Sequence, residues 1–200
     1  MPRVCSSASP LGYSLVELVC VTAVIGTLSA LTVPGVLANL DDTRAIGAAR
    51  YLSTRLQRAR MEAVARSSDV ALRFVPTPDG YAYGVYVDGN GNGVRTADIQ
   101  RGIDRELMPL ERLPGLFSGV DFGVLPGLPA VDSGSPPPGT DPIKLGSSNI
   151  LTFSSIGTAS PGSLYILGRK GAQYVIRVSG ETGRTRVLKF DPGARRWNPL

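Results

Sequence analysis

The chain has 200 residues, including 24 glycines and 16 prolines, and its 21 lysines and arginines outnumber its 16 acidic residues. This composition favours a β-rich domain with many loops over a helical bundle. The sequence contains no histidine, and both cysteines, Cys5 and Cys20, lie near its start. Ser-His-Asp catalysis, Cys-His catalysis and histidine-based metal sites are therefore excluded. Because no carboxylates or lysines form a catalytic pattern either, we expect no enzyme activity and no cofactor.

A short, weakly basic segment, residues 1–12, precedes a long apolar run. From Leu15 to Val36 the only charged residue is Glu17. Twenty-two helical residues span ~33 Å, enough to cross a bilayer core of ~30 Å. A carboxylate in such a helix costs a few kcal/mol unless it finds a partner. Cleavage after Gly12 would create an ammonium on Tyr13 with which Glu17 of a neighbouring copy can pair. The alternative is an ordinary signal anchor that happens to contain a glutamate.

The stretch Gly12-Tyr13-Ser14-Leu15-Val16-Glu17-Leu18 and the apolar run after it resemble the N-terminal signature of type IV pilins and pseudopilins. The resemblance implies that a prepilin peptidase removes residues 1–12 and methylates the amine of Tyr13. It also implies that residues 13–36 form a transmembrane helix that packs into a filament core. One departure is Pro10-Leu11, where such leaders usually carry Lys or Arg. Orientation in the inner membrane, with the following domain in the periplasm, therefore depends on Arg3 and the initiator amine.

Residues 37–68 are predicted to continue the helix as an amphipathic segment that ends at Ser67-Ser68-Asp69. Apolar residues recur there every three or four positions, which places them on one helical face: Ile46, Ala49, Leu52, Leu56, Ala59 and Ala63. The arginines lie mainly elsewhere and indicate a solvated side, with a nucleic-acid-binding row as the alternative. Pro34 predicts a kink or a locally melted turn, or alternatively the end of the helix at Val33.

Alternating apolar residues predict strands at 70–75 and 81–87, joined by the turn Pro76-Thr77-Pro78-Asp79-Gly80 as a hairpin. Residues 101–112 are charged and suggest an edge strand or a loop. Residues 109–149 are rich in proline and glycine and predict a mobile loop insertion containing one short strand near 119–124. Regular alternation returns later and predicts four more strands, at 150–153, 163–167, 174–178 and 185–190.

The helix end Ala59-Arg60 with Glu62-Ala63, followed by a strand at Val70, is similar to the GspH/FimT family of minor pseudopilins. The run 151–157 and the final hairpin resemble the C-terminal half of the same family. The resemblance implies an α+β, type IV pilin-like fold, in which a long N-terminal helix packs on a small antiparallel β-sandwich. Residues 69–200 would form this globular domain.

The segment Asp88-Gly89-Asn90-Gly91-Asn92-Gly93 resembles the first half of a calcium loop. Asp88, Asn90 and Asn92 occupy the first, third and fifth positions, where oxygen ligands are needed. The twelfth position is Ile99, whose side chain cannot bind a cation. Since glycine and asparagine also suit tight turns with positive φ, we predict a turn without metal, with a calcium site as the alternative.

Arg184 and Arg186 lie at the start of the last predicted strand, after Gly183. Residues two apart on a strand share a face and are ~7 Å apart, roughly the spacing of phosphates along a nucleic-acid strand. Gly183-Arg184-Thr185-Arg186 also resembles the Gly-Arg-x-Arg motif through which FimT-type pilins bind DNA for uptake. The alternative is a structural turn that related secretion pseudopilins also carry.

Two functions are therefore expected. The first is a minor pilin or pseudopilin of a type II secretion system or a type IV pilus, with other pilins, prepilin peptidase and the inner membrane as partners. The second is a DNA-binding minor pilin that acts in DNA uptake through Arg184 and Arg186.

Overall fold

The computed structural model describes residues 14–146 and 148–200, with the backbone alone described at residues 31–38. Gly12 and Tyr13, and with them the predicted leader and cleavage site, lie outside the described residues. Backbone contacts divide the chain into two compact units, Met1–Asn39 and Leu40–Leu200. Each unit is described by itself below.

The helix α1 covers Leu15–Arg66. Its backbone is helical through Pro34, so the alternative that the helix stops at Val33 is wrong. The helix ends after Arg66, as predicted, where Ser67 adopts a φ of 50° and the N–H of Ser68 donates to the carbonyl of Ala63. Among the residues described, no helix has both the length and the apolar character needed to cross a membrane.

Within the second unit, α1 buries one face. Ala49, Leu52, Leu56, Ala59 and Ala63 are fully or almost fully buried. Their spacing of three or four residues matches the helical repeat, so the amphipathic pattern predicted the buried face correctly. Ile46, which we placed on the same face, is only partly buried and packs against the edge of the core.

The rest of the second unit is mainly antiparallel β-structure. In chain order the elements are β1 (Val70–Thr77), β2 (Gly80–Val87), α2 (Thr96–Gln100), β3 (Arg105–Glu111), α3 (Leu113–Leu116), β4 (Val120–Phe122), β5 (Ile143–Lys144), β6 (Ile150–Phe153), β7 (Gly162–Gly168), β8 (Gln173–Val178), β9 (Thr185–Asp191) and β10 (Arg196–Pro199). Each predicted strand is present, with ends that differ by no more than two residues for most of them.

The described strands form two sheets, and every strand pair in them is antiparallel. The first has the order β3-β2-β1-β6, and the second has the order β10-β9-β8-β7-β4, with β5 also paired to β7. The predicted hairpin is present, with Thr77 opposite Gly80. The charged segment after residue 101 forms β3, which lies at the edge of the first sheet. Of the two alternatives predicted for this segment, the edge strand is therefore confirmed and the loop is not.

The core lies where α1 and the inner faces of both sheets meet. Phe74 of β1 and Tyr83 of β2 contact Phe122 of β4, with ring centroids 5.5 and 6.2 Å apart and rings nearly perpendicular. Edge-to-face geometry of this kind favours aromatic pairs beyond their buried area. The architecture is thus mixed α+β, with a helix and two antiparallel sheets around one hydrophobic core.

The segment 109–149 has little regular structure, as predicted, but it is packed against the domain. Val120, Phe122 and Ile143 belong to the main core. Leu128 joins a second apolar cluster with Tyr165, Val175 and Leu188, to which Trp197 also contributes. Part of this segment therefore covers the outer face of the second sheet, and the mobility of the insertion stays a prediction.

Candidate functional site

The first unit presents an exposed apolar helix. All residues from Ser14 to Ala30 are exposed. Eight large apolar side chains lie between 50% and 77% exposed: Leu15, Val16, Leu18, Val19, Val21, Val24, Ile25 and Leu28. At 100° per residue these positions surround the helix instead of forming one stripe. Apolar surface of this extent marks a site of contact with other apolar material.

The polar groups of this exposed helix are few. Glu17, in its first turn, is the only acidic residue of the segment, and its carboxylate is exposed. The hydroxyls of Thr22 and Thr27 donate to the carbonyls of Leu18 and Val24 at 3.0 and 2.9 Å. These two hydroxyls are satisfied within the helix and need no solvent. The pairing of Glu17 with an amine on Tyr13 stays a prediction, since Tyr13 is not described.

The basic turn joins β8 to β9. The N–H of Ser179 donates to the carbonyl of Arg184, and the N–H of Gly183 donates to the carbonyl of Ser179, both at 2.9 Å. Thr185 lies toward α1, where its hydroxyl accepts a hydrogen bond from Gln57 at 2.8 Å. Because side chains alternate along a strand, Arg186 lies on the opposite face of β9. Arg184 directly precedes β9, and its place on the same face as Arg186 stays a prediction.

The two arginines of the turn differ in their partners. Arg184 is exposed, and its guanidinium forms no hydrogen bond or ion pair with the residues described. Arg186 is also exposed but donates to Asp132 at 3.0 Å, and the other oxygen of Asp132 accepts from Arg177 at 2.7 Å. Arg177 and Arg186 are direct partners across β8 and β9. One carboxylate thus separates two like charges that would otherwise repel each other.

No sequence pattern indicated that Asp132 would pair with these arginines. It lies 45 residues from Arg177 and 54 from Arg186 along the chain. It comes from the packed segment 109–149, which sequence patterns described only as a loop. The charge available at the basic turn is therefore smaller than the arginine count suggests.

Gly183 has a structural role in the same turn. Its φ is +60°, and a Cβ at this position would lie 2.5 Å from the carbonyl oxygen of Gly157. That oxygen accepts a hydrogen bond of 2.9 Å from Nε of Arg60 on α1. Arg60 therefore forms a hydrogen bond with the turn at Gly157 and packs against the turn at Gly183. This contact supports the interpretation of Gly183 as a structural residue.

The carboxylate of Asp88 accepts hydrogen bonds from backbone groups of its own loop. Its Oδ1 accepts from the N–H groups of Asn90 and Gly91, and its Oδ2 accepts from that of Gly93, at 2.8 to 3.0 Å. Burial raises the pKa of Asp88, but the hydrogen bonds from these backbone groups outweigh it, so the pKa lies below its ordinary value. The carboxylate thus stabilises the turn.

The other polar groups of this loop also bind one another. Asp104 is buried and accepts from the N–H groups of Gly89 and Arg95, while the amide of Asn92 donates to Asp98. Ile99, at the twelfth position, packs with an apolar cluster. Within the described ranges 14–146 and 148–200, no three acidic or thiol groups are arranged to hold a metal ion.

Comparison of the chain with protein-family models, curated proteins and solved structures found no match. The functional conclusion therefore depends on the sequence motifs and on the geometry above. Of the predicted site residues, Glu17 lies in the exposed apolar helix, Arg184 and Arg186 lie in one turn, and Asp88 lies in a separate self-bonded loop.

Proposed function

We propose that this protein is a minor pilin or pseudopilin of the GspH/FimT type, with a type IV pilin-like fold. It is processed by a prepilin peptidase after Gly12 and joins a periplasmic type II secretion pseudopilus or a type IV pilus. The observation that carries the proposal is the exposed apolar helix of residues 14–30, whose only carboxylate is Glu17. This helix directly follows the motif that resembles a prepilin cleavage site.

Assembly gives the exposed helix the apolar surroundings that it needs. Before assembly, residues 13–36 anchor the chain in the inner membrane, and the domain that follows lies in the periplasm. In the filament, helices of other pilins cover the same apolar residues. A carboxylate inside such a bundle is stable only when it is paired. Glu17 therefore pairs with the methylated amine of Tyr13 on a neighbouring subunit and sets the register of the two subunits.

Processing is tested by the mass of the protein purified from cells that contain a prepilin peptidase. We expect a mature chain that begins at methylated Tyr13. Gly12→Val should leave the chain starting at Met1, because a peptidase site that accepts glycine has no room for a branched side chain. Gly26→Ala is the matched control, since a Cβ at Gly26 meets nothing within 4 Å, and this variant should be processed normally. An intact Met1 start in the unsubstituted protein would refute the proposal.

Incorporation is tested with Glu17→Gln in the same cells. This variant should be processed but depleted from the sheared filament fraction at least tenfold, since the neutral amide cannot pair with an ammonium. Filaments that contain Glu17→Gln at the level of the unsubstituted protein would overturn the proposed role of the carboxylate.

A second candidate function is DNA binding during uptake, as in FimT-type pilins. The observation that favours it is the guanidinium of Arg184, which is exposed near Arg186 at the start of β9 and has no partner in the described part of the chain. Two neighbouring cationic groups suit a phosphate backbone, and binding would fall steeply with added salt. Asp132 competes with phosphate for Arg186.

The DNA proposal is tested by fluorescence anisotropy of labelled duplex DNA with the full chain in a non-ionic detergent, at low and moderate salt. Arg184→Ala/Arg186→Ala should weaken binding roughly tenfold. Asp132→Asn should strengthen it, because Arg177 and Arg186 lose their internal partner. Arg44→Ala/Arg105→Ala changes the net charge equally at other exposed positions and should have a small effect. No binding at low salt, or equal losses in both double variants, would remove the proposal of specific DNA binding at the basic turn without affecting the filament proposal.

A further inference from the structure

A second surface of the domain combines positive charge with apolar side chains. The last turns of α1 and the edge strand β3 form the two walls of a groove of about 300 Å³. We name it the Arg58 groove. The lining includes Arg55, Arg58, Glu62 and Arg66 from α1, and Leu107 and Met108 from β3, together with Ala59 and Val85. The helical residues recur every three or four positions, so they all face the groove.

The charges of the Arg58 groove are only partly neutralised. Arg66 pairs with Glu62 at 2.8 Å, and Arg55 lies against the ring of Tyr51 and reaches Glu111 at 3.5 Å. Arg58 is exposed and has no side-chain hydrogen bond or ion pair among the residues described. Two carboxylates thus partner three guanidinium groups, which leaves one positive charge at the groove and favours an acidic ligand.

The opposite wall is suited to a peptide. Of the strands described, β3 pairs with β2 alone, so its outer edge carries backbone groups that another strand can bind. Leu107 is exposed and Met108 partly buried, and methionine adapts to side chains of different shape. Pro109 has no N–H and limits strand addition to residues 105–108. The groove therefore offers backbone pairing and apolar contact beside its charges.

We propose that the Arg58 groove binds an extended acidic segment of a partner protein. Carboxylates of the segment pair with Arg58 and Arg66, and one apolar side chain packs against Leu107 and Met108. A nucleic acid fits this surface less well, because no aromatic residue is among those that line the groove, so a base has nothing to stack on. The site is separate from the basic turn of Arg184 and Arg186, and it does not depend on the type of filament.

The test uses the fluorescein-labelled heptapeptide Glu-Thr-Glu-Leu-Glu-Thr-Glu and anisotropy titrations of the full chain in non-ionic detergent. We expect saturable binding below ~1 mM. Arg58→Gln/Arg66→Gln should weaken it about tenfold, and Leu107→Asp should also weaken it through repulsion. Arg44→Gln/Arg184→Gln, with the same change in net charge outside the groove, should leave the affinity nearly unchanged.

Two further measurements keep the proposal falsifiable if a variant folds poorly. Glu62→Gln removes the internal competitor of the peptide, so it should strengthen binding about threefold, a gain that unfolding cannot produce. The same peptide with glutamine in place of glutamate should bind at least fivefold more weakly. Equal binding of the two peptides, no saturation below ~1 mM, or tighter groove-dependent binding of an oligo-dT of equal length would each overturn the proposal.

Discussion

Replacing Phe122 with alanine should lower the free energy of unfolding by about 3–5 kcal/mol. Phe122 is only 7% exposed, although it lies in the loop-rich segment 109–149. Its ring contacts Phe74, Tyr81 and Tyr83 edge to face, so it joins β4 of the second sheet to both strands of the hairpin in the first. Its removal leaves a cavity between the sheets and also removes three aromatic contacts.

The matched control for Phe122 is Leu116→Ala in the same segment. Leu116 is 52% exposed, so its truncation should change stability by less than about 1 kcal/mol. Both variants are compared by urea unfolding of the full chain in detergent. Unfolding is monitored by the near-ultraviolet circular dichroism of the tyrosines. Similar small losses for both variants would mean that segment 109–149 is an appendage to the domain.

Gly183→Ala should cost about 3 kcal/mol of stability. Alanine at a φ of +60° is strained by ~1 kcal/mol, and its Cβ would also lie 2.5 Å from the Gly157 carbonyl and 2.9 Å from Nε of Arg60. Backbone on one side and a hydrogen-bonded guanidinium on the other leave little room for adjustment. The turn must therefore move, and the bond between Arg60 and Gly157 must lengthen.

Gly171→Ala separates backbone strain from crowding. Gly171 also has a positive φ, of +94°, but a Cβ there meets no atom within 4 Å. We expect this variant to lose only ~1 kcal/mol. Thermal unfolding of both variants gives the comparison, and a loss at Gly183 no larger than that at Gly171 would contradict the close approach.

The strands of the domain were predictable because their side chains alternate and turn residues separate them. Predicted and observed bounds agree for Ile150–Phe153, and the β1–β2 hairpin follows from the turn chemistry of Pro78 to Gly80. The buried face of α1 followed from its helical spacing. In each of these cases the signal lies within a short stretch of chain.

Features that depend on distant contacts were missed. Strand β10 is four residues long and includes Asn198 and Pro199, so its sequence has no strand pattern, and it forms by pairing with β9. The burial of Leu128 depends on the outer face of the second sheet, which no local pattern reveals. Asp132 likewise becomes a partner of two arginines only after the segment around it is packed.

The site residues show the same division. The sequence predicted that Arg184 and Arg186 share one strand face; in the structure Arg184 directly precedes β9, Arg186 is in it, and Thr185 between them lies toward α1. It did not indicate that Arg186 is held by Asp132, which reduces the charge that a ligand meets. The position of Asp88 in a calcium-like pattern was visible, but the use of both its oxygens by backbone N–H groups required the structure.

The contact of Arg60 with two turns has a mechanical consequence. One guanidinium on α1 binds the turn at Gly157 and packs beneath the turn at Gly183. We expect a rotation of α1 about its axis near Arg60 to move both turns. The movement of the Gly183 turn would then change the orientation of the Arg184 guanidinium. A fluorophore attached at Thr182 would report such a movement as a change in emission when a partner binds the helix. Arg60→Ala would uncouple α1 from the two turns and abolish that change in emission.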